Sequence, residues 1–322
     1  MINSKIITLA LLVVTTPLVF ANNIETASDG VNTFEELFGV TEGKRRNHTK
    51  GFCFSATLKP KDKKIQQYSN SSMFTKTSEV IGRLSHKGGK YLAADNKPGE
   101  YGMGLSITTA SNENHIMSMN TLDFFPVATP EAFAELMHAK VAGSNAVKAF
   151  KQKNKDLQRF KAHEATKTKT LKPYEANTFN SVNSFYLVNN EAKKTAVRWS
   201  FVPQLQQTLV VTPEQDFFFK NLQQNLTKNT VAWDMIITLA NPEDDVNNAA
   251  IAWHGEHQKI IAAELTIKAI QREEAGKCDL INFDPLVLST GFAPSADPLL
   301  QARRNAYAVS FDRRLSEKNL IK

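Results

Sequence analysis

The chain has 322 residues, 42% of them hydrophobic and 22% charged, with Gly and Pro at ordinary levels. That composition excludes collagen, a disordered chain and a disulfide-stapled miniprotein, and leaves enough chain for one large core or two small ones. The formal charge is +7, and it is concentrated: residues 140–172 carry ten Lys/Arg against Asp156 and Glu164.

At the N-terminus, Lys5 precedes an uncharged, mostly apolar stretch, Ile6–Phe20, that ends in Val19-x-Ala21. This pattern predicts a secretory signal peptide over residues 1–21. The stretch is too short and wrongly flanked for a stable transmembrane helix. The expected product is exported, periplasmic or secreted, with no stable membrane insertion after cleavage. Residues 22–33 read as a flexible polar arm, and 34–322 as one folded domain.

Strand signals rich in β-branched and aromatic residues fall at 51–58, 102–109, 115–120, 184–189, 195–202, 208–211, 234–240 and 259–269. Thr129-Pro130-Glu131 and Thr212-Pro213-Glu214 each place a Thr cap before Pro and an acid, and so open helices over 132–142 and 215–228. A last amphipathic helix is expected from Asp297 to Leu315. About eight strands with hairpin-like links predict an α+β fold, an antiparallel sheet or closed barrel with helices between and after the strands.

The basic stretch mixes Lys148, Lys151, Lys155, Arg159 and Lys161 with Ala149, Phe150, Leu157 and Phe160. That is the pattern of a solvated helix with a thin apolar stripe. An exported protein seldom meets nucleic acid, so no nucleic-acid partner is expected. The two cysteines, Cys53 and Cys278, are too few for a disulfide framework and fit no zinc spacing. An oxidising compartment would allow the two to pair, but Cys53 lies in a strand signal, and buried inert thiols are the expectation. His254 and His257 stand three apart without a third ligand and read as a surface loop. His86, His115, His138 and His163 show no partner pattern and read as structural or solvated.

The C-terminal helix carries the clearest chemistry. Arg303 and Tyr307 are four apart and Arg314 is seven further on, so all three share one helix face. A cation fixed beside a phenol lowers its pKa from about 10. A plain surface helix, with Tyr packed on the core and Arg solvated, fits the same spacing.

Other segments extend the pattern in order along the chain. Arg45-Arg-Asn-His48-Thr-Lys-Gly51 is followed by Ile81-Gly-Arg83-Leu-Ser85 and then by Gly102-Met-Gly-Leu-Ser-Ile107. Asn120-Thr-Leu-Asp-Phe124-Phe125-Pro126, Trp253, Phe283-Asp-Pro285 with Gly291, and the Arg303/Tyr307 helix complete the series. Over roughly residues 34–318 this order resembles the catalase family, and in particular its small branch, the catalase-related peroxidases.

The resemblance implies an antiparallel eight-stranded barrel with added helices, a haem b cofactor, and peroxide and a small organic reductant as partners. Tyr307 would ligate the iron, with Arg303 as the cation that keeps it a phenolate. His48 would be the distal acid–base, with an imidazole near its ordinary pKa of about 6.5, and Ser85 would orient it. Arg45, Arg83 and Arg314 would pair with the haem propionates. Phe124 and Phe125 would wall the pocket or its channel.

The sequence also departs from the family. Met119 stands where the large catalases place the first of two Asn residues, leaving Asn120 as a doubtful substitute. No Pro follows Trp253. Little N-terminal arm precedes the motif, and the chain ends soon after the Tyr helix. An open pocket of this kind implies peroxidase activity with weak or no catalase activity, in a monomer or small homo-oligomer. A non-catalytic haem carrier, and an enzyme that rearranges organic hydroperoxides, are the alternatives that the same fold allows.

Overall fold

The computed structural model describes residues 17–207, 209, 214 and 216–320. Eight of its strands close into an antiparallel barrel. In chain order these are β1 (Gly51–Pro60), β2 (Ser78–His86), β3 (Tyr101–Thr108), β4 (Asn114–Asn120), β5 (Phe179–Asn180), β7 (Lys194–Pro203), β8 (Ala232–Leu239) and β9 (Lys259–Arg272). Each pairs with its neighbour around the ring, and β7–β8 and β1–β9 complete the closure. Strands β6 (Phe185–Val188) and β10 (Phe292–Pro294) extend the sheet outward from β7. Closure removes the free sheet edges that an open array of these strands would expose.

Alternation along β1–β4 decides what each face does. Phe52, Phe54, Ala56 and Leu58 of β1, Leu84 of β2, Met103, Leu105 and Ile107 of β3 and Met117 of β4 fill the barrel core. Residues of opposite parity, including Cys53, Arg83, Ser85 and Ile116, face away from it, and Cys53 and Ile116 join a separate cluster with Cys278, Phe283 and Tyr307. The candidate active site lies on that outer face.

Among the described residues six α-helices surround the barrel: α1 (Pro17–Phe38), α2 (Pro130–Ala142), α3 (Ser144–Lys153), α4 (Lys155–Ala165), α5 (Phe217–Lys228) and α6 (Pro298–Leu320). Thr129 caps α2 by accepting from Ala132 N, as its Thr-Pro-Glu signal predicts. The basic stretch forms two helices rather than one, because Asn154 leaves helical geometry and caps α4 through Leu157 N at 2.8 Å. Leu157 and Phe160 are buried against Phe124 and Leu122, while Lys148, Lys151, Lys155 and Lys161 are exposed.

Two expectations change here. Residues 22–33 are helical, not a loose arm: they belong to α1, which buries Val31 and Thr33 and packs along α6. Cys53 and Cys278 form a disulfide with Cα atoms 5.4 Å apart. The 3₁₀ turn Lys277–Leu280 lies against β1, an approach that Gly276 permits because a methyl there would meet Cys53 Sγ at 2.3 Å. Strands β2, β5 and β10 had no clear periodic signal, β2 being suggested only by resemblance. The strand expected at 208–211 and the Thr212-Pro213 helix start fall outside the described residues, apart from Leu209 and Glu214; α5 is described from Phe217. Residues 1–16 of the expected signal peptide also lie outside them, and no helix among the described residues is long and apolar enough to cross a membrane.

The disulfide closes a sequence separation of 225 residues. Replacing both cysteines by Ala should lower the unfolding free energy by about 2–4 kcal/mol, read as an earlier urea midpoint. An unchanged midpoint would show that the crosslink contributes nothing to the folded domain.

Candidate active site

The loop before β1, strands β2–β4, residues 281–283 and helices α1 and α6 enclose one cavity on the outer face of the barrel. Its volume is about 170 Å³. Arg45, His48, Arg83, Ser85, Arg303, Tyr307 and Arg314, seven residues spread over most of the chain, all line it.

His48 is held by its loop in an uncommon backbone state, φ 56°, which costs on the order of 1 kcal/mol for a residue with a Cβ. Asn47 fixes the turn by accepting from His48 N at 2.9 Å and Gly88 N at 2.8 Å. The ring packs on Gly102, where a methyl would lie 2.7 Å from it, so this strand position admits only glycine. Ser85 Oγ lies 3.1 Å from His48 Nδ1 and donates to Gly102 O at 3.4 Å. With its proton directed there, Ser85 accepts from Nδ1–H and leaves Nε2 as the acceptor.

Burial, with the charges of Arg83, Lys87 and Arg303 adding to it, drives the His48 imidazole down to about 3. That corrects the expectation of an ordinary histidine. The ring is a neutral base throughout the physiological range.

Tyr307 comes from the middle of α6, and its hydroxyl lies 2.8 Å from Ser118 Oγ. Burial alone would raise its pKa, yet the charge of Arg303 and hydrogen bonding bring it below the ordinary value for a phenol. Arg303 is anchored by donating to Asn183 Oδ1 at 2.6 Å and to Ser118 O at 3.0 Å, with its guanidinium carbon 5.8 Å from the centre of the Tyr307 ring.

The other arginines are tied to a single segment. Glu273, at the end of β9, accepts from Arg83 Nε at 2.7 Å and Nη2 at 3.0 Å, and also from Arg45 Nη1. Arg45 Nη2 donates to the carbonyls of Cys278 and Ile281, each at 3.0 Å. Arg314 Nη1 donates to Asp279 O at 2.5 Å. The Cys53–Cys278 bridge therefore pins the strip that orients Arg45 and Arg314. Burial opposes the charge on Glu273, but Arg83 and Arg45 hold its carboxyl down at about 2.

Phe124 and Phe125 do not line the cavity. After β4 the chain turns toward the helices, so Phe124 packs on Phe160 with ring centres 5.7 Å apart, and Phe125 packs on Phe133 at 5.4 Å. The aromatic walls come instead from Phe34, Phe283 and Phe311. Asn120 lines the cavity while its Oδ1 accepts from Leu122 N at 2.9 Å, and the buried Met119 lies beside it. Sequence reasoning missed Ser118, Asn183, Glu273 and Asp279. Among these only Glu273 and Asp279 had a signal, as acids in the stretch just before the quoted Phe-Asp-Pro motif.

The catalase family model matches residues 41–320, so the chain belongs to the catalase family. Within it the chain falls among the catalase-related peroxidases. It is 34% identical over 315 residues to the catalase-related peroxidase of Synechococcus elongatus, spanning 92% of this chain and 90% of that one. A catalase-related peroxidase of Mycolicibacterium paratuberculosis is 22% identical over 303 residues, covering 88% and 93%. Among solved structures, a bacterial catalase superposes with TM-score 0.73 at 17% identity, and a fungal catalase with TM-score 0.75 at 17%. The chain spans 61% of the first and 67% of the second, with 94% and 98% of its own residues covered. The fold is that of the catalases.

Replacing Arg303 by Leu removes the main charge that lowers Tyr307. The Tyr307 ionisation step, isolated as the difference between this variant and one that also carries Tyr307→Phe, should then move to higher pH in a titration followed at the phenolate absorbance. A step that stays in place would detach Arg303 from the phenol.

Proposed function

We propose that this chain is an exported haem b peroxidase that reduces hydrogen peroxide or organic hydroperoxides with a small organic reductant, with weak or no catalase activity. One observation carries the reading: a phenol lowered by an adjacent guanidinium and a neutral, serine-oriented imidazole line one cavity, together with three arginines.

The side chains suit a haem. Arg45, Arg83, Arg303 and Arg314 bring four positive charges against Glu273 and Asp279, and Asp279 is also paired with Lys318, so positive charge is in excess at the site. Arg46 has its own partners in Glu35 and Glu317. Arg314 Nε is buried without a hydrogen-bond partner among the described residues. A planar group with two carboxylates supplies the missing acceptors and balances the charge. Tyr307 would ligate the iron, and Arg45, Arg83 and Arg314 would hold the propionates. When bound, the haem would supply the redox-active iron at which peroxide is reduced.

The residues of the chain then handle protons. His48 Nε2, unprotonated, takes a proton from the incoming hydroperoxide and returns it to the oxygen that leaves as water or alcohol. Ser85 keeps the ring in the required tautomer. Met119, at the position where the large catalases place an amide, joins the barrel core and offers no hydrogen bond to a second peroxide, which favours an organic reductant for the return step. The Cys53–Cys278 bridge suits an oxidising compartment and supports export.

Because protonation of His48 removes the base, and its imidazole is held at about 3, the peroxide reaction should stay flat as pH falls from 7 toward 4 and fail only below that. Stopped-flow pH jumps read this directly; a limb near 6.5 would contradict the buried neutral base. His48→Ala should slow the same step by at least about 10²-fold. An unchanged rate would remove His48 from the mechanism.

A further inference from the structure

A second cavity, of about 340 Å³, opens at the mouth of the barrel where β1 begins and β9 ends. We propose that it binds a small phenolic reductant, and that Tyr174, paired with His86, passes the reductant's electrons toward the first cavity. The proposal rests on the peroxidase reading above and assigns a place to its second substrate.

The walls suit a flat aromatic molecule. Phe52, Tyr174, Phe218 and Phe219 supply rings, with Phe52 and Phe219 edge-to-face at 5.1 Å, and the Arg272 guanidinium caps Phe219 at 4.0 Å. Aromatic rings favour such offset and edge contacts, and cavities of this size and mixed lining are ordinary small-molecule sites. The floor is polar. Asp95, fully buried, accepts from Lys50 Nζ at 2.8 Å and from Phe218 N at 2.8 Å. A phenol hydroxyl entering here meets the Asp95 carboxylate and the Tyr174 ring together.

Tyr174 is more than wall. Its hydroxyl is hydrogen-bonded to His86 Nδ1. His86 Nε2, without an aligned hydrogen-bond partner among the described residues, lies 3.3 Å from Asp95 Oδ1. Burial, and then Lys50, keep this imidazole neutral, at about 3; with its one proton on Nε2, facing the Asp95 carboxylate, Nδ1 is the acceptor for the phenolic proton. A phenol that loses an electron becomes a strong acid, and even a depressed imidazole takes its proton. This geometry lets Tyr174 be oxidised without creating a buried charged radical.

The two cavities lie back to back across one ladder. Ser85 pairs with Gly102 and His86 with Tyr101. Ser85 and Gly102 line the first cavity beside His48, while His86 and Tyr101 point to the opposite face and pack against Tyr174, with ring centres 5.3 and 5.2 Å away. Only the thickness of the β2–β3 pair separates the aromatic cluster from the peroxide site.

The step balances with peroxide as terminal oxidant at the first cavity. Tyr174 gives up one electron, and its O–H proton moves to His86 Nδ1. The bound phenol then donates one electron to the Tyr174 radical, His86 returns the proton to the Tyr174 oxygen, and the phenol's own proton leaves through Asp95. The phenol departs as a phenoxyl radical. Two such turns supply the two electrons and two protons that convert one hydrogen peroxide into two waters.

Two measurements test this. Saturation-transfer NMR with p-cresol on the purified chain should show binding, and Ala93→Trp, which fills the cavity, should abolish it. Where that variant fails to fold, Tyr91→Ala at the exposed rim should weaken binding about tenfold instead. Binding that survives these changes would overturn the site. Freeze-quenched EPR of the haem-loaded chain after peroxide should show a tyrosyl radical that p-cresol quenches and that Tyr174→Phe removes. An equal radical in Tyr174→Phe would overturn the electron path. If the unaltered chain forms no Soret band, the haem reading fails and the electron path with it, while cresol binding still decides the cavity on its own.

Discussion

Everything at the candidate active site depends on how four arginines are kept charged and fixed on the outer face of the barrel. Like charges gathered out of water repel strongly, and each has lost its hydration. Burial and the neighbouring Arg83 and Arg314 push the Arg45 guanidinium well below its ordinary value. Glu273 answers by bridging Arg45 and Arg83, and Asp279 by holding Arg314. Both acids sit on the strip that follows β9, and the strip is tied to β1 by the Cys53–Cys278 bond. The barrel fixes one side of the arrangement and the crosslinked strip the other.

The same electrostatics shape the reactive groups. Burial, with the positive charges adding to it, keeps the His48 imidazole neutral, and the charge of Arg303 lowers the Tyr307 phenol against its burial; in the proposed reading this prepares one as a base and the other as an anionic ligand. Under the proposed function, a dianionic planar cofactor would balance the arginine excess. Across the β2–β3 ladder, alternating residues line the candidate site on one face and pack an aromatic cluster beside the second cavity on the other.

Much of this was legible in the sequence. The spacing of Arg303, Tyr307 and Arg314 on one helix face, the Thr129 cap and most barrel strands are local signals, and local signals survive without coordinates. Arg45, His48, Arg83 and Ser85 were readable only through the order of motifs along the chain. What escaped depends on contacts between distant segments. The Glu273 bridge spans 190 residues to Arg83, and the disulfide joins two segments with no shared motif. Phe124 and Phe125 match a pattern, but the chain direction after β4 carries them into the helical cluster. Helix α1 was hidden because its polar residues read as a free arm, while its few apolar contacts, Val31 among them, are made with the rest of the fold.

The central claim is that Tyr307 holds a haem on which this cavity reduces peroxide. It is tested most directly by the absorption spectrum of the purified, haem-supplemented chain, beside Tyr307→Phe, before and after one equivalent of peroxide. The account predicts a Soret band in the unaltered chain that changes with peroxide and recovers on adding a phenolic donor, and that is lost or displaced in Tyr307→Phe. Identical spectra for the two chains, or a band indifferent to peroxide, would contradict it.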